Sequence, residues 1–269
     1  MSKLTIPAPI RLIFNTFPLI TYERVQTTDI ALQREIQKRS YILNSKDGSQ
    51  TATDGSGQFF LLVDKVFREK CTDAGSSDSG EYYLPADPIS LFVLFSLCLK
   101  NSLLLPRSVD NGSPNEEALS GPAMVTVERE ELPSMLIDNE LVNRSTLLDK
   151  LNSERFTAAE LMLAHLLDKD LYPLFESNVP REHKLIKLNR DLYSQNLLLE
   201  KASITLTQFE KLVEEKPPSP RDYLSLKIAS YVIAILHSEQ CQLKKLIMEH
   251  CPALLQLSYD VKVSLLQKD

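Results

Sequence analysis

The stretch that most constrains the chain is DPISLFVLFSLCLKN, residues 87–101. Asp87 is placed to cap the first free amides of a helix, and Pro88 stands where its missing N–H costs nothing. From Ile89 to Leu99 the only polar side chains are Ser90 and Ser96, so the helix must be covered on nearly every side. Residues 59–67 precede it: Phe59, Leu61 and Val63 alternate with Phe60, Leu62 and Val66, and neither face is polar. That pattern predicts one inner strand, covered on both faces. A strand feeding a buried helix is the seed of an α/β layer.

After the helix the reading is a short strand at 103–105, a surface insertion at 108–122 and an extended run at 124–127. A hairpin follows at 132–143, and then a helix opened by Arg144-Ser145-Thr146, with Leu147, Leu148 and Leu151 inward. Beyond residue 153 no strand pattern remains. Residues 157–175 read as one helix with Leu163, Leu167, Leu171 and Leu174 on one face and Glu160, Asp168 and Glu176 away from it. Residues 184–215 read as one long or two broken helices. In PPSPRDY, 217–223, Ser219 fits an N-cap, Pro220 the first helical position and Asp222 the third, a variant of the capping box. The helix it opens carries Leu224, Ile228, Tyr231, Val232 and Ile235 as a core stripe. A last helix runs from Pro252 to about Leu266.

The domain expectation is an arm and linker at 1–57, an α/β domain at 58–152 and an all-helical domain at 153–269. The arm is apolar and irregular. Ile10, Phe14, Phe17 and Tyr22 crowd it, while Pro7, Pro9 and Pro18 deny it one continuous helix or central strand. It lies on its own domain or docks into another protein. Ile10, Arg11, Phe14, Phe17, Pro18 and Tyr22 are the candidate partner contacts.

The net charge of −6 conceals an asymmetry, because residues 1–46 hold seven Lys or Arg against three Asp or Glu. An acidic remainder argues against nucleic acid. Four cysteines without CxxC spacing point to a reducing compartment. No cleavable signal is expected at the start, and no apolar run reaches the roughly 18 residues that span a bilayer. Catalytic motifs are missing too. The four histidines lack HExxH or HxxxH spacing, no GxSxG elbow occurs, and Gly55 and Gly57 are not followed by GKS or GKT. Neither metal nor cofactor is expected.

A partly βαβ domain with a Leu-Pro hairpin, then a helical domain with a Ser-x-x-Asp cap, resembles the glutathione-transferase fold. The resemblance implies a thioredoxin-like half before an all-helical half, with an N-terminal arm added here. It also implies a cis proline at Pro133 and a cap at Ser219 and Asp222. In active transferases an acidic residue precedes the serine that opens the third helix; here Arg144 precedes Ser145, reversing the charge. No Tyr, Ser or Cys nucleophile is found near the end of the first strand, where Asp64 is the polar residue.

Four separated runs, PIRLIFNTFPLITY (9–22), EIQKRSYIL (35–43), 87–106 and YLSLKIASYVI (223–233), are similar to the metaxin-related peripheral subunits of the fungal mitochondrial sorting and assembly machinery. That resemblance implies a non-enzymatic protein at the cytosolic face of the mitochondrial outer membrane. Its implied partners are the β-barrel insertase, a second metaxin-like subunit and β-barrel precursors whose sorting signal it helps to receive. The alternatives are a glutathione-transferase-like enzyme and an adaptor with no membrane partner.

Overall fold

In the computed structural model the described residues are 39–46, 59–71, 80–106, 121–128, 131–137, 140–178, 192–238 and 241–266. All of them belong to one compact unit, Arg39–Asp269. The candidate arm contacts Ile10, Arg11, Phe14, Phe17, Pro18 and Tyr22 lie outside the described residues.

The predicted apolar helix forms as α1, Pro88–Lys100. Asp87 accepts the Ser90 amide at its start, and residues 88–98 are all buried. Its two hydroxyls do not violate that burial. Ser90 Oγ donates to Asp87 at 2.8 Å and Ser96 Oγ to the Phe92 carbonyl one turn back at 2.8 Å, so each satisfies its proton locally.

The strand before it departs from expectation. Residues 59–67 split into β2, Phe59–Val63, and β3, Val66–Cys71, which lie in different sheets. Asp64 and Lys65 are exposed at the break. A charged pair has no place in a strand covered on both faces, so the chain turns out there. β3 pairs antiparallel with β4, Gly80–Pro85, to make a two-stranded sheet.

The main sheet contains β1 (Ser40–Ile42), β2, β5 (Ala123–Thr126), β6 (Ser134–Ile137) and β7 (Glu140–Val142), in the order β1-β5-β2-β6-β7. β2 is central. It runs parallel to β5 with Leu61 opposite Met124, and antiparallel to β6 with Leu61 opposite Met135. A parallel neighbour needs a crossover, and α1 is part of it. β6 and β7 form the expected hairpin. β1, from the segment read as arm and linker, adds antiparallel to the outer edge of β5.

The expected strand at 103–105 does not form. Leu103, Leu104 and Leu105 are buried, but the first two amides go elsewhere: Leu103 N–H bonds to the Cys98 carbonyl and Leu104 N–H to that of Asn44. The segment touches 44–46 through an isolated antiparallel bridge, Ser45 to Leu103, flanked by the Leu104–Asn44 and Lys46–Ser102 bonds, and joins neither sheet.

After the sheet come α2 (Arg144–Arg155), α3 (Ala158–Asp170), α4 (Tyr172–Asn178), α5 (Leu192–Glu215), α6 (Tyr223–His237), α7 (Cys241–His250) and α8 (Pro252–Leu266). The described residues after 153 contain only helices. The helix expected over 157–175 is broken at Leu171 into α3 and α4. Pro173 cannot donate to a carbonyl one turn back and its ring crowds that turn, so the first helix stops. Thr157 and Glu160 form a reciprocal capping box at the start of α3.

α6 begins at Tyr223, four residues after the expected cap. Asp222 occupies its N-cap position but makes no side-chain bond to the helix. Its carboxylate instead accepts the Ser219 amide at 3.0 Å, and Ser219 Oγ accepts the Arg221 amide at 3.3 Å. The Ser-Asp pair closes a separate turn because these short side chains satisfy the turn's own amides first. Past that turn α6 is buried from 224 to 235, packed between α1 and α8.

A buried carboxylate fixes the last helix. Glu210, on α5, accepts from the amides of Ala253 and Leu254 at 2.8 and 2.9 Å, standing in for an N-cap on α8. Pro252 opens that helix and has no amide to satisfy. Glu210→Ala leaves both amides buried without their acceptor and is expected to cost about 2–4 kcal/mol. Urea denaturation checks this, with loss below about 1 kcal/mol counting against the interaction.

Candidate functional site

Two groups of polar side chains meet along the seam between the sheet with α1 and the helices that follow. Asp87 heads the first group. While capping α1, its carboxylate is deeply buried, and that burial raises its pKa against the opposing pull of Ser90, Arg144 and Tyr172. Arg144, the first residue of α2, donates to the Tyr172 hydroxyl at 2.9 Å and lies 4.7 Å over its ring. It also reaches the Leu132 carbonyl at 3.4 Å. The Leu132–Pro133 peptide is cis and leads into β6. Arg144, Tyr172 and Asp87 thus link the loop before β6 to the starts of α1, α2 and α4.

The second group sits deeper. Lys227, on α6, has a side chain only 3% exposed, and its ammonium lies 2.7 Å from Asp168 Oδ2 on α3. Tyr231, one turn along α6, donates to the other oxygen, Oδ1, at 2.7 Å. The ammonium also stands 5.3 Å from the Phe92 ring of α1. Burial first, and then the Asp168 charge, push the Tyr231 phenol well above its ordinary value, so it remains a donor. The sequence placed Asp168 away from the core, and that is corrected here. A lysine inside a dozen buried residues needs a carboxylate, and Asp168 is turned to supply one.

Neither group is arranged for turnover. The Asp87 carboxylate is committed to its helix cap, Arg144 to Leu132 and Tyr172, and Lys227 to Asp168. Asp64 is exposed at the bend after β2. Ser145 is exposed and bonded to Asn143, whose side chain caps α2. Cys98 is buried, with its thiol pushed up to about 12, and burial raises Cys251 to about 11. Both are free and inert at neutral pH. Among the described residues no group of three His, Cys, Asp or Glu side chains could hold a metal ion. His165 and His250 are exposed, and His183 lies outside the described residues.

His237 occupies a third polar position, at the end of α6. Its ring stacks on Phe67 of β3 at 3.8 Å, and its Nε2 is 4.0 Å from the Glu69 carboxylate, which Lys262 also engages. The second Glu69 oxygen is buried without a partner.

Of the residues singled out from sequence, Pro133 stands at the seam, in the cis peptide beside the Arg144 contact. Ser219 and Asp222 lie in the turn before α6, apart from it. The Asp87–Tyr172–Arg144 and Lys227–Asp168–Tyr231 ties were missed. Only one of them left a local trace, the lone lysine in YLSLKIASYVI.

The sheet order, the parallel β2–β5 pair, the cis proline before β6 and the helices that follow define a thioredoxin-like half joined to an all-helical half, the architecture of the glutathione transferases. A search of solved structures returned the apo form of glutathione S-transferase III, at 12% identity and TM-score 0.47, covering 78% of this chain and 94% of that one. Residues 4–138 match the family described as SAM35, subunit of the SAM complex. The chain belongs to the SAM35 family. The sorting assembly machinery 35 kDa subunit of Saccharomyces cerevisiae is 26% identical to it, over 99% of this chain and all of that protein.

His237, whose ring is about a third exposed, gives a pH signature. Burial lowers its pKa from 6.5; Glu69 pulls it up, while Lys262 and Lys244 push it further down. The unfolded chain therefore takes up this proton first. Stability from His237 is intact above about 6.5 and falls as pH drops through that value toward the lower folded pKa. His237→Phe, which keeps a ring against Phe67, is expected to lose less stability between pH 7 and pH 5 than the parent. Parallel denaturation curves with the same pH slope would refute the assignment.

Proposed function

We propose that this chain is a non-enzymatic peripheral subunit of the mitochondrial sorting and assembly machinery. It binds the outer-membrane β-barrel insertase from the cytosolic side, beside a second metaxin-like subunit, and helps to receive the sorting signal of β-barrel precursors. The observation that carries this reading is the family match over half the chain. The full-length likeness to the yeast 35 kDa subunit supports it. So does the absence, among the described residues, of any helix long and apolar enough to cross a membrane. The arm at 1–57 supplies the insertase contact through Ile10, Arg11, Phe14, Phe17, Pro18 and Tyr22, the residues with the greatest apolar and aromatic density in a stretch that cannot form one regular element.

Affinity purification of the tagged chain from mildly solubilised fungal mitochondria tests this directly. The insertase and the second metaxin-like subunit are expected in stoichiometric amounts, and a lone monomer would sink the reading. Alanine at both Phe14 and Phe17 is expected to deplete the insertase while leaving the melting temperature of the purified chain unchanged. Retained insertase with a collapsed melting temperature would instead assign the arm to the chain's own core.

The rival reading, a glutathione-transferase-like enzyme, is opposed by Arg144. Its guanidinium occupies the Leu132 carbonyl beside the cis proline and cannot accept a hydrogen bond from an ammonium group. Titration calorimetry with glutathione is expected to show no binding at millimolar concentration. Heat that saturates and is abolished by a competing glutathione analogue would restore the enzyme reading.

A further inference from the structure

The seam is built from two helices with little to distinguish one face from another. α1 is buried over residues 88–98 and α6 over residues 224–235. Helices that are apolar all round can pack in several neighbouring registers at similar cost. Against that background stands Lys227, the one fully buried ammonium among the described residues, on the helix that bridges α1 and α8. It meets Asp168 of α3 at 2.7 Å and the Phe92 ring of α1 at 5.3 Å, and Tyr231 holds the other oxygen of the same carboxylate. Rotating or sliding α6 by one residue would strand Lys227 in apolar surroundings. Replacing a buried ion pair by packed apolar groups is often neutral or stabilising, so net stability does not account for the pair. Specifying one packing does.

We propose that Lys227, Asp168 and Tyr231 form a registration pin that fixes how α3 and α6 dock on α1, contributing uniqueness of packing and little net stability. The Phe175 ring, edge-on to Tyr231 at 6.2 Å, extends the same constraint to α4. The charges of Asp87 and Tyr172 are also felt at the Tyr231 phenol, so the pin lies near the first polar group.

The test compares three variants of the full-length chain with the parent, reading melting temperature and amide hydrogen exchange in α1 against α8. Asp168→Leu leaves Lys227 buried and unpaired, and is expected to lower the melting temperature markedly. The triple variant Lys227→Met, Asp168→Leu, Tyr231→Phe is expected to recover most of that loss. Its α1 amides should nevertheless exchange at least about tenfold faster relative to those of α8. A triple variant as unstable as Asp168→Leu would show that the pair supplies energy instead of register. A recovered triple variant with the parent's α1-to-α8 exchange ratio would show that it specifies nothing. Should the triple variant not fold, Tyr231→Phe alone decides the matter. It keeps the ring, so a selective rise in α1 exchange supports the pin, and an unchanged ratio overturns it.

Discussion

The structure depends on covering α1 completely. A helix with Ile89, Leu91, Phe92, Val93, Leu94, Phe95, Leu97 and Cys98 all buried leaves no side that water can wet. Each large side chain contributes about 1.5–3 kcal/mol only if its cover is continuous. The main sheet alone cannot supply that cover, because a sheet meets a helix along one stripe. α6 supplies the rest, and it is itself buried over residues 224–235. Two fully buried helices side by side then require a further layer, which α3, α7 and α8 provide. The helical half is in this sense a consequence of the composition of residues 87–101.

Where the sequence carries end signals as well as periodicity, the elements were legible. α1 has Asp87 and Pro88 at its start, α8 has Pro252, and the β6–β7 hairpin has short apolar runs around a turn. Where the deciding interaction is distant, the reading failed. β3 alternates Phe67, Arg68, Glu69 with no apolar face of its own, and only its pairing with β4 makes it a strand. Leu103, Leu104 and Leu105 look like a strand by composition, yet Cys98 takes the Leu103 amide and Asn44 that of Leu104. Asp168 was assigned outward by helical periodicity alone. Its partner lies 59 positions away, and no local pattern announces such a pair. The Asp87–Tyr172–Arg144 tie was invisible for the same reason.

The seam also bears on what the fold has become. Here the Leu132 carbonyl is met by Arg144, and Arg144 is in turn held by Tyr172, which bonds to Asp87. Arg144, Tyr172 and Asp87 are thus committed to one another, while Ser134 Oγ, just after the cis proline, is buried without a partner. Such internal pairing is what a packed interface between two halves requires, since a buried polar atom without a partner costs about 1–3 kcal/mol. Catalysis instead needs groups held ready and unsatisfied until substrate arrives. Closing the seam and keeping a reactive cleft are competing uses of the same residues, and Arg144, Tyr172 and Asp87 serve the first.

Among the described residues, the exposed large apolar side chains are spread over several elements: Leu141 on β7, Met162 on α3, Met248 on α7 and Tyr259 on α8. Only α5 carries three, Leu197, Ile204 and Leu212, at spacings of seven and eight that keep them near one face. Lys201, Gln208 and Lys211 are interleaved with them and exposed. That mixture suits a solvated helix better than the core of an interface, where charge is depleted. By contrast, residues 10–22 hold Ile10, Leu12, Ile13, Phe14, Phe17, Leu19, Ile20 and Tyr22, with Arg11 the sole charge. Residues 10–22 therefore carry an apolar and aromatic density that the exposed face of α5 lacks.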